Sequence, residues 1–132
     1  MQIQENTANH FDRIGGEVTV LKLVTRFYDI MQQDPKAREI LELHPKDLSG
    51  ARTKLYEFLV GWMGGPPIYI EKHGHPRLRM RHIHVAIGEL ERDQWMYCIN
   101  TAMQELAIKS PLQEELQQAF YKVADFMRNK EG

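Results

Sequence analysis

The stretch Arg77-Leu78-Arg79-Met80-Arg81-His82-Ile83-His84-Val85 decides how this chain is read. One imidazole, His82, stands among alternating cations and apolar residues, after a Pro/Gly-rich segment and ahead of a new helix. A histidine in such a place can be a surface residue or a ligand to a metal or a large cofactor. The residues around it have to decide.

The flanking sequence is helical on both sides. Upstream, residues 7–14 predict a short helix that stops at Gly15-Gly16, where positive φ is cheap. From Glu17 a longer helix carries Val20, Val24, Phe27 and Met31 on one stripe, with Leu21 and Tyr28 beside it. The Tyr28 hydroxyl lies on an apolar face and needs a partner there. Asp34-Pro35 reads as cap and first turn of a short helix to about Leu43. A turn at His44-Pro45-Lys46 follows, and Asp47 caps a helix whose stripe is Leu48, Ala51, Leu55, Phe58 and Trp62. Gly64-Gly65-Pro66-Pro67 stops it, and Ile68 to Pro76 reads as an ordered loop, a length that usually marks function.

A brief helix over Arg77–His82 comes next. Gly88 opens a long one with Trp95, Ile99, Ala102 and Leu106 buried and Met96 and Met103 adjacent. In the last helix Ser110-Pro111-Leu112-Gln113 has the pattern of a capping box, and Leu112, Leu116, Phe120, Val123 and Met127 bury one face. Arg128 and Lys130 suit the negative end of that helix. No stretch alternates with period two. The fold class is all-α.

Composition narrows the function classes. A chain of 132 residues, 42% hydrophobic and 27% charged, has the makings of one folded domain with one core. The formal net charge of -1 gives no reason to expect nucleic acid, so Arg and Lys act locally. Cys98 is the only cysteine, which excludes an intramolecular disulfide and suits a reducing compartment. Met1-Gln2-Ile3-Gln4-Glu5-Asn6 shows no basic patch before an apolar run, and no window resembles a membrane span, so a cytoplasmic protein is expected.

The chemistry-bearing residues leave three readings of His82 open. His73, His75, His82 and His84 fall close together, but zinc would need more ligands of the right spacing, and there is no His-Glu-x-x-His pair. An exposed or hydrogen-bonded His82 is the plain alternative. A haem asks less: one imidazole, apolar walls such as Met80, Ile83 and Ile87, and cations such as Arg79 and Arg81 at the rim. Tyr28, Trp95 and His44 could converge as donors, which would favour O2 among diatomic ligands. Cys98 lacks an activating neighbour and reads as a buried, inert thiol. Glu89/Glu91 and Glu114/Glu115 read as solvated helix starts.

Taken together, Phe27-Tyr28, Gly64-Gly65-Pro66-Pro67-x-Tyr69, His73-Gly74-His75-Pro76-x-Leu78-Arg79-x-Arg81-His82, Ile87 and Glu91-Arg92-Asp93-x-Trp95-x-x-Cys98 resemble the group II truncated haemoglobins. The resemblance runs in order from about residue 10 to 128, with frayed ends expected outside it. It implies a 2-on-2 helical sandwich around haem b, with His82 as the proximal iron ligand. Tyr28, His44 and Trp95 match the polar distal positions. Ala51 stands where full-length globins carry a distal histidine, and Leu55 lies one turn on. Tyr69, Arg79 and Arg81 match propionate contacts, with Lys54 a weaker candidate, and Leu55, Phe58, Met80 and Ile87 line the haem. His44 stands at a corner that is often Tyr or Phe in relatives, and His84 replaces a common proline.

By this resemblance the protein reversibly binds O2, and also NO or CO, releases O2 slowly, and handles oxygen or reactive nitrogen and oxygen species. Peroxidase or NO-dioxygenase-like activity with an external reductase is the enzyme alternative, and a zinc-binding or interaction domain the non-haem one. Tyr28 or His44 could ligate the iron when no external ligand is bound. A monomer or weak homodimer is expected, with no nucleic-acid or membrane partner.

Overall fold

The computed structural model describes residues 8–131. The absent secretory signal and the frayed N-terminus are expectations on residues outside that range, as is the first residue of the helix read from residue 7. The described chain forms eight α-helices and one 3-10 turn, and no strand is found among these residues.

The first helix, α1 (His10–Ile14), starts where the Asn9 side chain accepts the Asp12 N–H at 2.8 Å. It stops at Gly15, whose φ of 114° a side chain would resist, and where an added Cβ would meet Thr19 Oγ1 at 2.6 Å. In α2 (Gly16–Gln33) Val20, Val24, Phe27 and Met31 are buried as the stripe predicts. Leu21 is not beside them; it is 52% exposed, and Leu23 and Ile30 complete the buried face instead. Asp34 caps a turn at Pro35–Ala37 by accepting the Lys36 N–H at 3.0 Å, and α3 (Arg38–Glu42) follows directly.

The Asp47 carboxylate accepts the Ser49 N–H at 2.9 Å and so starts α4 (Ser49–Trp62). Its deeply buried residues are Leu59 and Val60, flanked by Leu48 and Met63, whereas Ala51, Leu55, Phe58 and Trp62 are only half-buried. The predicted stripe therefore lies along the edge of the packed face, and Phe58 turns its ring to Tyr69. Residues read as a loop from Ile68 begin with α5 (Ile68–His73) instead. Pro66-Pro67 pre-set the backbone ahead of it, Ile-Tyr-Ile-Glu-Lys-His contains no breaker, and Gly74 at φ 79° ends it. The loop reading holds only from Gly74 to Pro76, and Arg77, read as the first residue of the next helix, is its N-cap.

After α6 (Leu78–Arg81), α7 (Glu89–Glu105) and α8 (Leu112–Phe126) complete the chain. Glu91 is not a solvated helix start: it is buried and accepts the Gly88 N–H at 2.8 Å, which is the carboxylate half of a capping box. Ser110 does not cap α8, because the Gln113 N–H it would take already donates to the Lys109 carbonyl at 3.0 Å.

The helices pack as two pairs, α2 against α4 and α7 against α8, with α2 also crossing α7. This is the 2-on-2 sandwich of an all-α fold. Its centre is Phe27, Leu23, Met31, Ile99, Met103, Leu116 and Phe120, each fully buried. Every such side chain contributes about 1.5–3 kcal/mol of transfer free energy, so the core dominates over the surface ion pairs. Cys98 lies in it with its thiol pushed up to about 12 by burial, inert as expected. No described helix is long and apolar enough to cross a membrane.

Candidate functional site

His82 is positioned by four residues of helix. Arg77 adopts a left-handed conformation (φ 47°, ψ 50°), with its N–H donating to His75 Nδ1 at 3.0 Å. That corner starts α6, and His82 caps its C-terminus. One turn back, the Leu78 carbonyl lies 2.7 Å from His82 Nδ1. A carbonyl can only accept, so Nδ1 carries the proton and Nε2 carries the lone pair. The ring is thus fixed in orientation and tautomer, with Nε2 left unprotonated.

Large apolar groups stand exposed beside it: Met80 at 68% and Ile83 at 59%. Ile87 and Tyr69 are buried. Tyr69 packs edge-on to Phe58 at 6.2 Å and against His73 at 4.7 Å. What holds α5 there is Glu57, a buried carboxylate on α4 bonded to Lys72 Nζ at 2.6 Å and to His73 Nε2 at 3.1 Å. The bond from Lys72 keeps the Glu57 carboxyl below its ordinary range, against the cost of burial. His73 is therefore an anchor for α5, not an idle loop residue.

The predicted rim cations are dispersed. Arg81 and Lys54 are exposed, as is His84. Arg79 turns one nitrogen to the Arg128 carbonyl at 3.3 Å and lies 6.0 Å over the Phe126 ring.

The polar groups on the apolar stripes do come together. Phe27 sits between the Tyr28 ring, edge-on at 4.8 Å, and the Trp95 ring, tilted at 5.0 Å. The His44 ring meets Tyr28 edge-on at 5.9 Å, and its Nδ1 lies 2.9 Å from the Ile40 carbonyl. Tyr28 is 5% exposed. Burial raises its phenol pKa, and only the charge of Arg52, 5.7 Å over the ring, opposes this. Arg52 is itself held by Asp29 at 2.9 Å and Gln32 at 3.1 Å. The pKa of His44 is lowered by burial first, an effect the Ile40 bond offsets, and also by the charge of His82. Ala51 and Leu55 are half-buried on α4.

Two supporting residues escaped the sequence reading. Gln94 accepts the Ile40 N–H at 2.9 Å and donates to Glu39 at 2.7 Å, tying the helix before His44 to α7 beside Trp95. Nothing in the sequence marks it. Asn129, in the charged tail after α8, bonds the backbone that follows His82. Glu91 was legible, three residues after Gly88.

One imidazole held through Nδ1 with Nε2 unprotonated, exposed apolar neighbours, and a buried phenol and a half-buried indole that both pack on Phe27 fit a haem. Among the described residues no three of His, Cys, Asp and Glu gather into a site for a bare metal ion. Two helix pairs around such a histidine define a small globin.

Comparison with known proteins agrees. A family model described as bacterial-like globin matches residues 9–129. The group 2 truncated hemoglobin YjbI of Bacillus subtilis is 36% identical over 101 residues, 76% of this chain and 74% of its own. Among solved structures, the group II 2-on-2 hemoglobin of Agrobacterium tumefaciens superposes with a TM-score of 0.91 at 41% identity, covering 98% of this chain and 100% of that one. The cold-adapted truncated hemoglobin of Pseudoalteromonas haloplanktis TAC125 gives 0.88 at 42% identity, covering 93% and 99%. The chain belongs to the bacterial-like globin family, as a group II truncated haemoglobin with the haem-binding role of a globin.

Proposed function

We propose that the chain, acting as one domain in the cytoplasm, holds haem b on His82 and reversibly binds O2, and also CO or NO, on the face toward Tyr28, His44 and Trp95. The observation that carries this reading is the His82 ring, tied through Nδ1 to the Leu78 carbonyl and flanked by exposed Met80 and Ile83. Haem, when bound, would supply an iron able to take a diatomic ligand.

The residues of the chain supply the rest. The Leu78 carbonyl makes His82 a more basic, oriented ligand. Leu55, Phe58, Met80 and Ile87 form apolar walls, and Tyr69, Arg79, Arg81 and Lys54 meet the propionates. Ala51 leaves the entry side of the pocket open. The Trp95 N–H and Tyr28 O–H donate to a ligand that gains negative charge on binding, which favours O2. His44, with its Nδ1 on Ile40, has Nε2 left to join them. The raised phenol pKa keeps Tyr28 protonated and a donor at any physiological pH.

A charge-assisted hydrogen bond is worth about 1.5–3 kcal/mol, so losing one on ligand release slows O2 dissociation by roughly ten- to a hundredfold. Slow release suits sensing, storage or chemistry on reactive oxygen and nitrogen species. The test is optical. Protein purified with haem supply shows a Soret band that shifts on reduction and again with CO, and colourless protein, or zinc in place of iron, overturns the reading.

A further inference from the structure

Asn129 lies in the tail after α8, 47 residues from His82 in sequence, yet its bonds converge on the segment that follows that histidine. Its Nδ2 donates to the His82 carbonyl at 3.1 Å and to the Val85 carbonyl at 2.7 Å. Its Oδ1 accepts the Ile87 N–H at 3.0 Å, and its own backbone N–H donates to the Ile87 carbonyl at 2.9 Å. Residues 82–87 have no helix of their own to satisfy these groups. A carboxamide alone offers two donors and an acceptor on so short a side chain, so Asp, Ser or Ala could not make the same set.

The tail is itself fastened. Arg79 Nη2 donates to the Arg128 carbonyl at 3.3 Å, and Lys130 Nζ lies 3.5 Å from Glu91, the carboxylate that starts α7. His82 is thus gripped from two sides: its ring by Leu78 before it, its backbone by Asn129 after it.

We propose that Asn129 is a positioning residue for the proximal ligand, its carboxamide fixing the backbone at His82 so that Nε2 is presented to the haem iron in one direction. This rests on His82 being the iron ligand. The orienting partners of ligating histidines commonly change metal affinity by about ten- to a hundredfold when removed, and Asn129 acts one step further out, through the main chain.

The test compares wild type with Asn129→Ala and the near-isosteric Asn129→Asp. Three readouts apply: amide hydrogen exchange of residues 83–87 in haem-free protein, haem transfer to an acceptor apoglobin, and the iron–histidine stretching band of the ferrous unliganded form. Asn129→Ala is expected to speed exchange at Ile87, raise haem loss about tenfold, and shift and broaden the band. Asn129→Asp, which keeps the Ile87 acceptor and loses both donations, retains protection at Ile87 and loses haem at an intermediate rate; it also serves should the alanine variant fail to fold. Faster exchange with wild-type haem loss and an unmoved band would make Asn129 merely structural and overturn the proposal, as would unchanged exchange. Haem binding that His82→Gly leaves intact overturns the reading beneath it, an outcome separable because the exchange measurement needs no haem.

Discussion

The proposed distal and proximal walls of the haem pocket are built by different physics. The distal wall belongs to the core: Tyr28 and Trp95 flank Phe27, which is fully buried between α2 and α7. Packing at interior density sets where those donors point. The proximal wall has almost no core beneath it. His82 caps a four-residue helix and has exposed Met80 and Ile83 beside it, and hydrogen bonds to the Leu78 carbonyl and from the tail fix its place. A packed wall resists small displacements and is costly to mutate. A wall held by hydrogen bonds can be altered with little loss of fold, at the expense of ligand geometry.

That contrast can be broken most severely at the two extremes. His82→Gly is expected to abolish stable haem binding, read as loss of the Soret band, while far-ultraviolet circular dichroism of the haem-free protein stays helical. Phe27→Ala should do the reverse, costing about 3–5 kcal/mol in urea unfolding of the haem-free protein, as large-to-small core changes do. Should Phe27→Ala prove mild, the distal wall is not held by packing.

Intermediate effects sharpen the distal side. Tyr28→Phe keeps the ring and Trp95→Phe keeps a smaller aromatic in its place, and each removes the donor, so O2 dissociation in stopped-flow rises by roughly ten- to a hundredfold for the donor that meets the ligand, with little change in stability for Tyr28→Phe. If both variants release O2 at the wild-type rate, the converging donors do not act on it.

A smaller effect concerns Glu57, which holds α5 and hence Tyr69. Its carboxyl is held below the ordinary 4.5, chiefly by Lys72. The folded state therefore binds the proton less readily than the unfolded chain. The stabilisation is present above 4.5 and is lost as pH falls through the lower folded value. Glu57→Gln should cost about 1 kcal/mol at neutral pH, and the gap from wild type should close in acid. The smallest effect belongs to Ser110→Ala. Because the Gln113 N–H is already taken, the change should stay within about 0.5 kcal/mol, where loss of a true cap costs about 1 kcal/mol.

The same contrast explains what could be read from residues alone. Helices whose faces are packed announce themselves by period: Val20, Val24, Phe27 and Met31, or Leu112, Leu116 and Phe120, had to face one way. Tyr28 and Trp95 were legible as candidates because a phenol or indole on such a stripe needs a reason. Hydrogen-bonded parts carry no such signal. α5 hid because Pro66-Pro67 and Gly74 resemble loop punctuation and its six residues are too few for a period to show. Asn129 and Gln94 act on main-chain groups that only the fold brings near. Ser110 misled for the opposite reason, its motif being present but its donor already satisfied by Lys109.

The most direct test of His82 as the iron ligand is a rescue. Haem-free His82→Gly, mixed with haem and titrated with imidazole, should regain the wild-type ferrous and CO spectra as free imidazole enters the space the side chain left. A spectrum that is wild-type before any imidazole is added would show that another residue holds the iron.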